Sequence, residues 1–300
     1  MPSASDCTPD TPNWHERERD ALSTAARMGH NAATFPRRGP YRTVFGEPLV
    51  IIYEYPLNER VRTLLRLEDL YARVDHFLGL DDPNDHHAAL TGIFEILEVA
   101  SRADLKSDLL QELDRQRTFL DALRSNPAIS EDKLNQVLGD IETAFSNLHA
   151  LSGKTGQSLR ENEWLMAIKQ RAGIPGGTSE FDLPSYHYWL QQPPEARRGH
   201  LAEWMKPIKP VHAALSIVLR VLRESGRTVS LMAYQGVFQQ TPADKPAQML
   251  RLVLANDIPC VPEISANKYA LNIRFLLPEV VQKSRVYDRD VAFDLIFCNL

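Results

Sequence analysis

The chain has 300 residues and a mass of 34.0 kDa, and 43% of its residues are hydrophobic and 24% charged. This length and composition exclude a fibrous, collagen-like or wholly disordered protein and predict a globular chain of one or two domains. No run of 18 or more apolar residues occurs, so no membrane-spanning helix is predicted. The net charge of −5 argues against a general nucleic-acid coat.

The amino terminus and the cysteines bear on the cellular compartment. Residues 1–6 lack the basic-then-apolar order of a secretory signal, which predicts a cytoplasmic protein. The three cysteines, Cys7, Cys260 and Cys298, include no Cys-x-x-Cys pair. This usage fits a reducing compartment and predicts neither a zinc module nor a disulfide framework.

Charge is distributed unevenly along the chain. Residues 49–150 contain 10 basic and 19 acidic side chains, whereas residues 151–300 contain 18 basic and 14 acidic ones. Such asymmetry can steer an acidic partner or draw two copies of the chain together. Two solvated faces that happen to differ explain the asymmetry equally well.

Residues 1–48 differ in composition from the rest of the chain. They are rich in proline, serine, threonine, alanine and arginine and contain few side chains that could bury a core. We therefore predict a disordered extension over residues 1–48, with the fold beginning near Val50.

The middle of the chain has a helical pattern. Residues 49–55 are β-branched and aromatic and precede Pro56, which predicts a strand. Asn58 then provides an N-cap for a helix that ends near Leu78, because apolar residues recur at steps of three and four. The same period predicts further helices, about eight in all, at residues 85–101, 104–124, 130–148, 159–171, 184–191, 195–205 and 211–224. We assign residues 49–225 to a helical domain.

The period of the apolar residues changes after Gly226. Alternation predicts strands near residues 250–254, 269–275 and 291–297, with a weaker strand pair over residues 228–240. Helices followed by strands indicate an α+β fold, with a smaller antiparallel β domain at residues 226–300. The early strand needs partners, so we expect it to join these late strands.

Motifs for catalysis and for metal binding are weak. The Gly-Ile-Pro-Gly-Gly sequence that begins at Gly173 lacks the Lys-Ser/Thr of a P-loop, so we interpret it as a turn. His86 and His87 lie near several aspartates, but adjacent residues point about 100° apart on a helix, so a shared metal ion is not predicted. No hydrolase, zinc-peptidase or deaminase motif occurs. We therefore predict a non-enzymatic protein without cofactor or metal.

His187 keeps a different class of function open. It lies in Tyr-His-Tyr-Trp on a predicted short helix, where it is either a half-buried structural histidine or a general base. We favour the structural interpretation. The alternative function is a small-ligand-binding protein or an enzyme with its site at the junction of helices and sheet around His187.

A basic stripe indicates a binding surface. Arg62, Arg66 and Arg73 recur at steps of four and seven along the first helix, with Asp69 as an acidic interruption. Arginine favours carboxylate partners because its planar fork donates two parallel hydrogen bonds. Solvated helix faces also produce such stripes, so the pattern alone is ambiguous.

Several ordered segments of the chain are similar to one family, across about residues 50–298. They are Tyr55-Pro-Leu-Asn-Glu-Arg-Val-Arg, Leu109-Leu-Gln-Glu-Leu-Asp-Arg-Gln, Leu159-Arg-Glu-Asn-Glu-Trp-Leu, Ile174-Pro-Gly-Gly, Phe181-Asp-Leu-Pro, Tyr186-His-Tyr-Trp-Leu and Glu263-Ile-Ser-Ala-Asn-Lys. With these segments the chain resembles the ZapD family of bacterial cell-division factors.

The resemblance implies a symmetric homodimer with a helical domain and a β domain. It implies binding to the carboxy-terminal tail of the tubulin-like protein FtsZ, bundling of FtsZ filaments at mid-cell, and no catalysis, cofactor, nucleic acid or membrane insertion. The basic residues that would contact the tail, by their position in the matching segments, are Arg62, Arg66, Arg102 and His187. We add Lys268 and Arg274 of the β segment to this set.

Overall fold

A computed structural model describes residues 49–101, 104–126, 129–241, 247–267, 269–279 and 283–300. The predicted disorder of residues 1–48 lies outside these ranges, and so do Cys7, Arg102 and Lys268. The helices and strands follow one another in the order β1 (Val50–Pro56), α1 (Glu59–Leu78), α2 (Pro83–Ser101), α3 (Leu105–Asp121), α4 (Glu131–His149), α5 (Gln157–Arg160), α6 (Glu163–Ala172), α7 (Pro184–Leu190), α8 (Pro194–Met205), α9 (Lys209–Glu224), β2 (Arg227–Ala233), β3 (Val237–Gln240), β4 (Met249–Ala255), β5 (Val261–Ala266), β6 (Leu271–Leu276) and β7 (Val291–Cys298).

Helix α1 has the bounds that its sequence predicts. The Asn58 side chain accepts a hydrogen bond from the Val61 backbone N–H at 2.8 Å, which satisfies one of the unpaired donors at the start of the helix. The apolar positions of the stripe are buried, with Leu67, Tyr71 and Val74 fully inside. Burial of this face therefore stabilises α1 and places its arginines on the opposite side.

Helices α1 and α2 pack closely against each other. A Cβ atom on Gly92 of α2 would lie 2.6 Å from Cγ2 of Val74 on α1, so only glycine permits this approach. Tyr71 also ties α1 to the start of α9, because its hydroxyl donates to the Ile208 carbonyl at 2.9 Å. The two helices thus form a rigid pair whose outer edges flank a common groove.

The strands form two antiparallel sheets, in the orders β1-β4-β7-β2 and β3-β6-β5. Strand β1 pairs with β4, with Val50 opposite Ala255 and Pro56 opposite Met249. This pairing confirms that the early strand joins the late ones, and the α+β class is confirmed with it. The sequence predicted a single sheet, whereas the structure divides the strands between two.

One prediction of local structure was wrong, and one strand was not predicted. Residues 159–171 form two helices, because Asn162 caps a new helix by accepting from the Leu165 N–H at 3.0 Å. Strand β5 was not predicted, since it contains Pro262. Proline is tolerated there because β5 pairs only with β6 and lies at the edge of its sheet, where one side of the strand needs no donors.

A buried charged network joins the helices to the first sheet. The Arg223 guanidinium on α9 donates to both carboxylate oxygens of Glu54 on β1, at 2.8 Å each, and to those of Glu68 on α1, at 2.8 and 2.6 Å. Arg251 on β4 donates to Glu54 at 3.1 Å. Arg223 and the buried Arg197 are therefore not exposed surface charges, although the sequence counts both among the basic side chains of residues 151–300.

Candidate functional site

The arginine stripe of α1 is exposed, but its members differ in their partners. Arg62 donates to Glu59 of the preceding turn at 2.9 Å. Arg73 forms an ion pair with Glu95 of α2. Arg66 forms no ion pair with the residues that the structure describes. Arg66 is therefore the member of the stripe whose donors are open to a ligand.

A groove of about 470 Å³ lies between α1 and α2 and includes part of this stripe. It is called the α1–α2 groove here and is lined by Arg66, Asp69, Leu70, Arg73, Glu95, Glu98 and Val99. Leu70 and Val99 form its apolar floor, and the Arg73–Glu95 ion pair crosses it from one helix to the other. The groove can therefore receive an apolar side chain flanked by polar groups.

The charge of this groove is mixed. Its α1 wall carries Arg66 and Arg73 together with Asp69, and its α2 wall carries Glu95 and Glu98. Lys169 of α6 extends to Glu98 at 3.2 Å and neutralises part of that wall. The sequence predicted a basic face because it shows the arginines at helical spacing, whereas the carboxylates opposite them come from a different helix.

His187 lies away from this groove. It is half-exposed on α7, and its Nε2 is 3.7 Å from a carboxylate oxygen of Glu180. The neighbouring Tyr186 hydroxyl is 2.7 Å from Nδ1 of His87 on α2, and His87 precedes Glu95 by eight residues, which is about 12 Å along a helix. His187 is therefore not among the residues that line the α1–α2 groove.

Arg274 lies in the second sheet. On β6 it faces Val237 of β3 on one side and Glu263 of β5 on the other. Its Nε donates to Glu263 at 2.9 Å, and its side chain remains more than half exposed. The described members of the predicted set therefore occupy three separate places, on α1, α7 and β6.

Sequence reasoning missed an exposed apolar pair beside His187. Phe181 is 82% exposed and Tyr188 is 70% exposed, although both belong to a well-formed loop and helix. Hydrogen bonds between successive turns shape the loop before α7, including Ser179 N–H to Gly176 O at 3.3 Å and Asp182 N–H to Ser179 O at 3.0 Å. Exposed aromatic side chains on an ordered scaffold are typical of interaction surfaces. The Gly-Gly turn in the sequence indicates a loop before α7, but it does not show that the side chains of Phe181 and Tyr188 are exposed.

A second groove, of about 690 Å³, lies between the start of α1, α3 and the end of the described chain. Arg115 is held there by the buried Glu112 and donates from Nη1 to the Leu300 carbonyl at 2.7 Å. Phe119 is 41% exposed in the same groove. These residues were not predicted to form a site, because α3 and residue 300 are far apart in the sequence.

The histidines at the start of α2 have structural partners. The His86 ring contacts the Leu80 carbonyl and Arg197, whereas the His87 ring contacts the Tyr186 hydroxyl. The two rings therefore point in different directions, as their adjacent positions on a helix predict. Burial lowers the pKa of His87 below its ordinary value.

Among the residues that the structure describes, no group of three or more metal-ligating side chains could hold a metal ion. None of the helices in those ranges combines the length and apolarity that crossing a bilayer requires.

Comparisons with known proteins agree on one family. The family model ZapD, described as a cell division protein, matches residues 65–274. Proteins named "Cell division protein ZapD" are 59% identical to the chain in Aromatoleum aromaticum, 53% in Nitrosomonas europaea and 56% in Dechloromonas aromatica. The matches extend over 251, 251 and 252 residues, cover 84% of this chain each, and cover 98%, 96% and 100% of the relatives. The chain belongs to the ZapD family of cell division proteins.

Proposed function

We propose that this protein binds the carboxy-terminal tail of FtsZ as a homodimer, cross-links FtsZ filaments into bundles and promotes assembly of the division ring at mid-cell. The observation that carries the proposal is family membership at 52–59% identity over nearly the whole length of its relatives. The protein acts in the cytoplasm as a binding factor, without cofactor or turnover.

Arg66 has no ion-pair partner among the described residues, and this supports a peptide-binding role for α1. Its guanidinium lies beside an apolar floor of Leu70 and Val99 and can donate two parallel hydrogen bonds to a carboxylate. Arg62 lies one turn away and forms an exposed pair with Glu59, which contributes little energy and can be exchanged for a ligand. A flexible tail that offers an apolar side chain and a carboxylate fits this face.

Dimerisation would convert tail binding into bundling. A flexible peptide binds weakly because ordering it costs conformational entropy. Two sites in one rigid dimer gain effective concentration when the two tails come from neighbouring filaments. The helical part, residues 49–225, and the β part, residues 226–300, would move as one body in such a dimer, since β1 pairs with β4 and Arg251 donates to Glu54.

An enzymatic function around His187 has less support. The imidazole is half-exposed beside Glu180, and neither of the two grooves described above includes it. A partly apolar surface with Phe181 and Tyr188 next to a histidine fits protein binding better.

Co-sedimentation with GTP-assembled FtsZ tests the proposal. We expect wild-type protein to pellet with the filaments and bundle them, and we expect the Arg62→Glu, Arg66→Glu double variant to lose both activities. A matched control is the Lys133→Glu, Lys154→Glu variant, which changes the net charge equally at exposed positions on α4 and in the loop before α5. Both variants require the wild-type circular dichroism spectrum and dimer mass.

Absence of any wild-type interaction at moderate salt would refute the proposal. Equal loss in the two variants would show that net charge, rather than the α1 face, governs binding. Full binding by the Arg62, Arg66 variant would move the site toward Arg102, His187, Lys268 and Arg274.

A further inference from the structure

The α1–α2 groove has walls of opposite sign, and this polarity restricts what it can bind. Arg66 and Arg73 stand on the α1 side together with Asp69, and Glu95 and Glu98 stand on the α2 side, where Lys169 contacts Glu98. The cross-groove pair of Arg73 and Glu95 leaves both side chains nearly half exposed. A guanidinium has five donors and a carboxylate has about four acceptor sites, so each can take a further partner without breaking the pair.

A uniformly acidic segment does not fit such a groove. Its charges would meet Arg66 on one side, but they would be repelled by Glu95 and Glu98 on the other. A uniformly basic segment would be attracted by Glu95 and Glu98 but repelled by Arg66 and Arg73. A segment with charges of both signs, separated by an apolar side chain that contacts Leu70 and Val99, satisfies all three surfaces.

We propose that the α1–α2 groove selects a mixed-charge peptide segment, which presents a carboxylate to Arg66, an apolar side chain to Leu70 and Val99, and a cationic side chain to the Glu95–Glu98 wall. This inference rests on the proposed function, because the segment would belong to the FtsZ tail. It goes beyond that function by naming the chemistry of the ligand and the wall that each of its groups contacts.

An exchange variant tests the polarity of the walls directly. Arg73→Glu combined with Glu95→Arg retains the cross-groove ion pair and the net charge, but it reverses the sign that each wall carries at that end. We expect it to keep the wild-type thermal unfolding curve and to bind a fluorescein-labelled FtsZ tail peptide about tenfold more weakly. Unchanged affinity in the folded exchange variant would overturn the proposal.

Charge-changed peptides test which ligand group meets which wall. A panel of tail peptides has each acidic residue replaced in turn by Lys and each basic residue replaced in turn by Glu. We expect Arg66→Glu to weaken binding of the unaltered peptide about tenfold and to regain most of the affinity with one acid-to-Lys peptide. Glu98→Lys should weaken binding of the unaltered peptide and regain affinity with one base-to-Glu peptide. If Glu98→Lys disturbs the contact with Lys169, the milder Glu98→Gln variant replaces it in this test.

The controls separate this inference from the proposed function. Lys133→Glu, which changes an exposed residue on α4, should bind every peptide as the wild type does. If wild-type protein binds the tail but no altered peptide restores any variant, the polarity inference fails and the proposed function stands. If wild-type protein binds no tail peptide even at low salt, the proposed function fails and the inference fails with it.

Discussion

Arg197 donates its Nε–H to Nδ1 of His86 at 2.7 Å, and both side chains are buried. Because a guanidinium has only donors, Nδ1 of His86 must be the acceptor, so the proton of this neutral ring resides on Nε2 and points to the Leu80 carbonyl at 2.8 Å. The remaining N–H groups of Arg197 donate to the carbonyls of Leu190, Gln192 and Asp81. One arginine thus joins the α1–α2 turn to the turn between α7 and α8.

This arrangement predicts a loss of stability in mild acid. Burial, together with the charges of Arg197 and Arg198, lowers the pKa of His86, and burial lowers that of His87. The unfolded chain takes up these protons near pH 6.5 and the folded protein does not, so the free energy of unfolding decreases as the pH falls below about 6.5. Urea unfolding at pH 7.5 and 5.5 measures the decrease. His86→Gln should show a smaller decrease, and an identical one would contradict the assignment.

The network around Arg223 predicts that two arginines of α9, Arg223 and Arg220, contribute very differently to the stability of the protein. Arg223→Met removes the partner that Glu54 and Glu68 share and should destabilise the protein by about 3 kcal/mol, because the buried Glu54 then keeps only the Arg251 ion pair described above and the partly buried Glu68 loses its pair with Arg223. Arg220→Met removes only an exposed pair with Asp140 and should cost less than about 1 kcal/mol. Chemical denaturation at one protein concentration compares them. Equal losses would show that the network contributes no more than a surface pair.

Replacing Gly236 and Gly139 by alanine should change the stability of the protein in opposite directions. Gly236 has φ +73°, and a Cβ atom there would lie 2.2 Å from the Tyr287 carbonyl oxygen. Gly236→Ala should therefore destabilise the β2–β3 turn by about 2 kcal/mol. Gly139→Ala in α4, where a Cβ meets nothing within 4 Å, should stabilise the protein by about 0.5–1 kcal/mol. Thermal unfolding that shifts in the same direction for both variants would refute this account of the turn.

The buried cysteines should resist modification in the folded protein. Burial raises the pKa of Cys298 to about 12 and also raises that of Cys260, and both side chains are almost inaccessible. Only thiolates react quickly with disulfide reagents, so a Cys7→Ser protein should show no fast-reacting thiol at pH 8 and two after denaturation. A fast native reaction would show that one of these thiols opens to solvent.

Bundling should depend on dimerisation more than on tail affinity. A variant shown to be monomeric by its mass, with an unaltered α1 face, should bind the FtsZ tail peptide within about threefold of wild type and should not bundle filaments. Light scattering of assembling FtsZ measures the bundles. Bundling by the verified monomer would exclude the divalent mechanism.

The local pattern of the sequence was sufficient for much of the fold. The apolar spacing and the Asn58 cap predicted α1 with its correct end, and the change of period after Gly226 predicted late strands, among them β4, which pairs with β1. These features could be predicted because helix and strand periods are properties of neighbouring residues. Strand β5 was missed for the same reason, since Pro262 argues locally against a strand and only the edge position permits it.

Family membership and fold class were therefore determined by the sequence, whereas the character of the candidate site was decided by the tertiary structure. The sequence shows Arg73 in a basic stripe and Arg223 in the more basic half of the chain, but their carboxylate partners Glu95 and Glu54 lie 22 and 169 positions away. Pairing and burial at such separations depend on how the helices and sheets pack together. For this reason only the folded protein distinguishes Arg66, which forms no ion pair with the described residues, from arginines that hold the structure together.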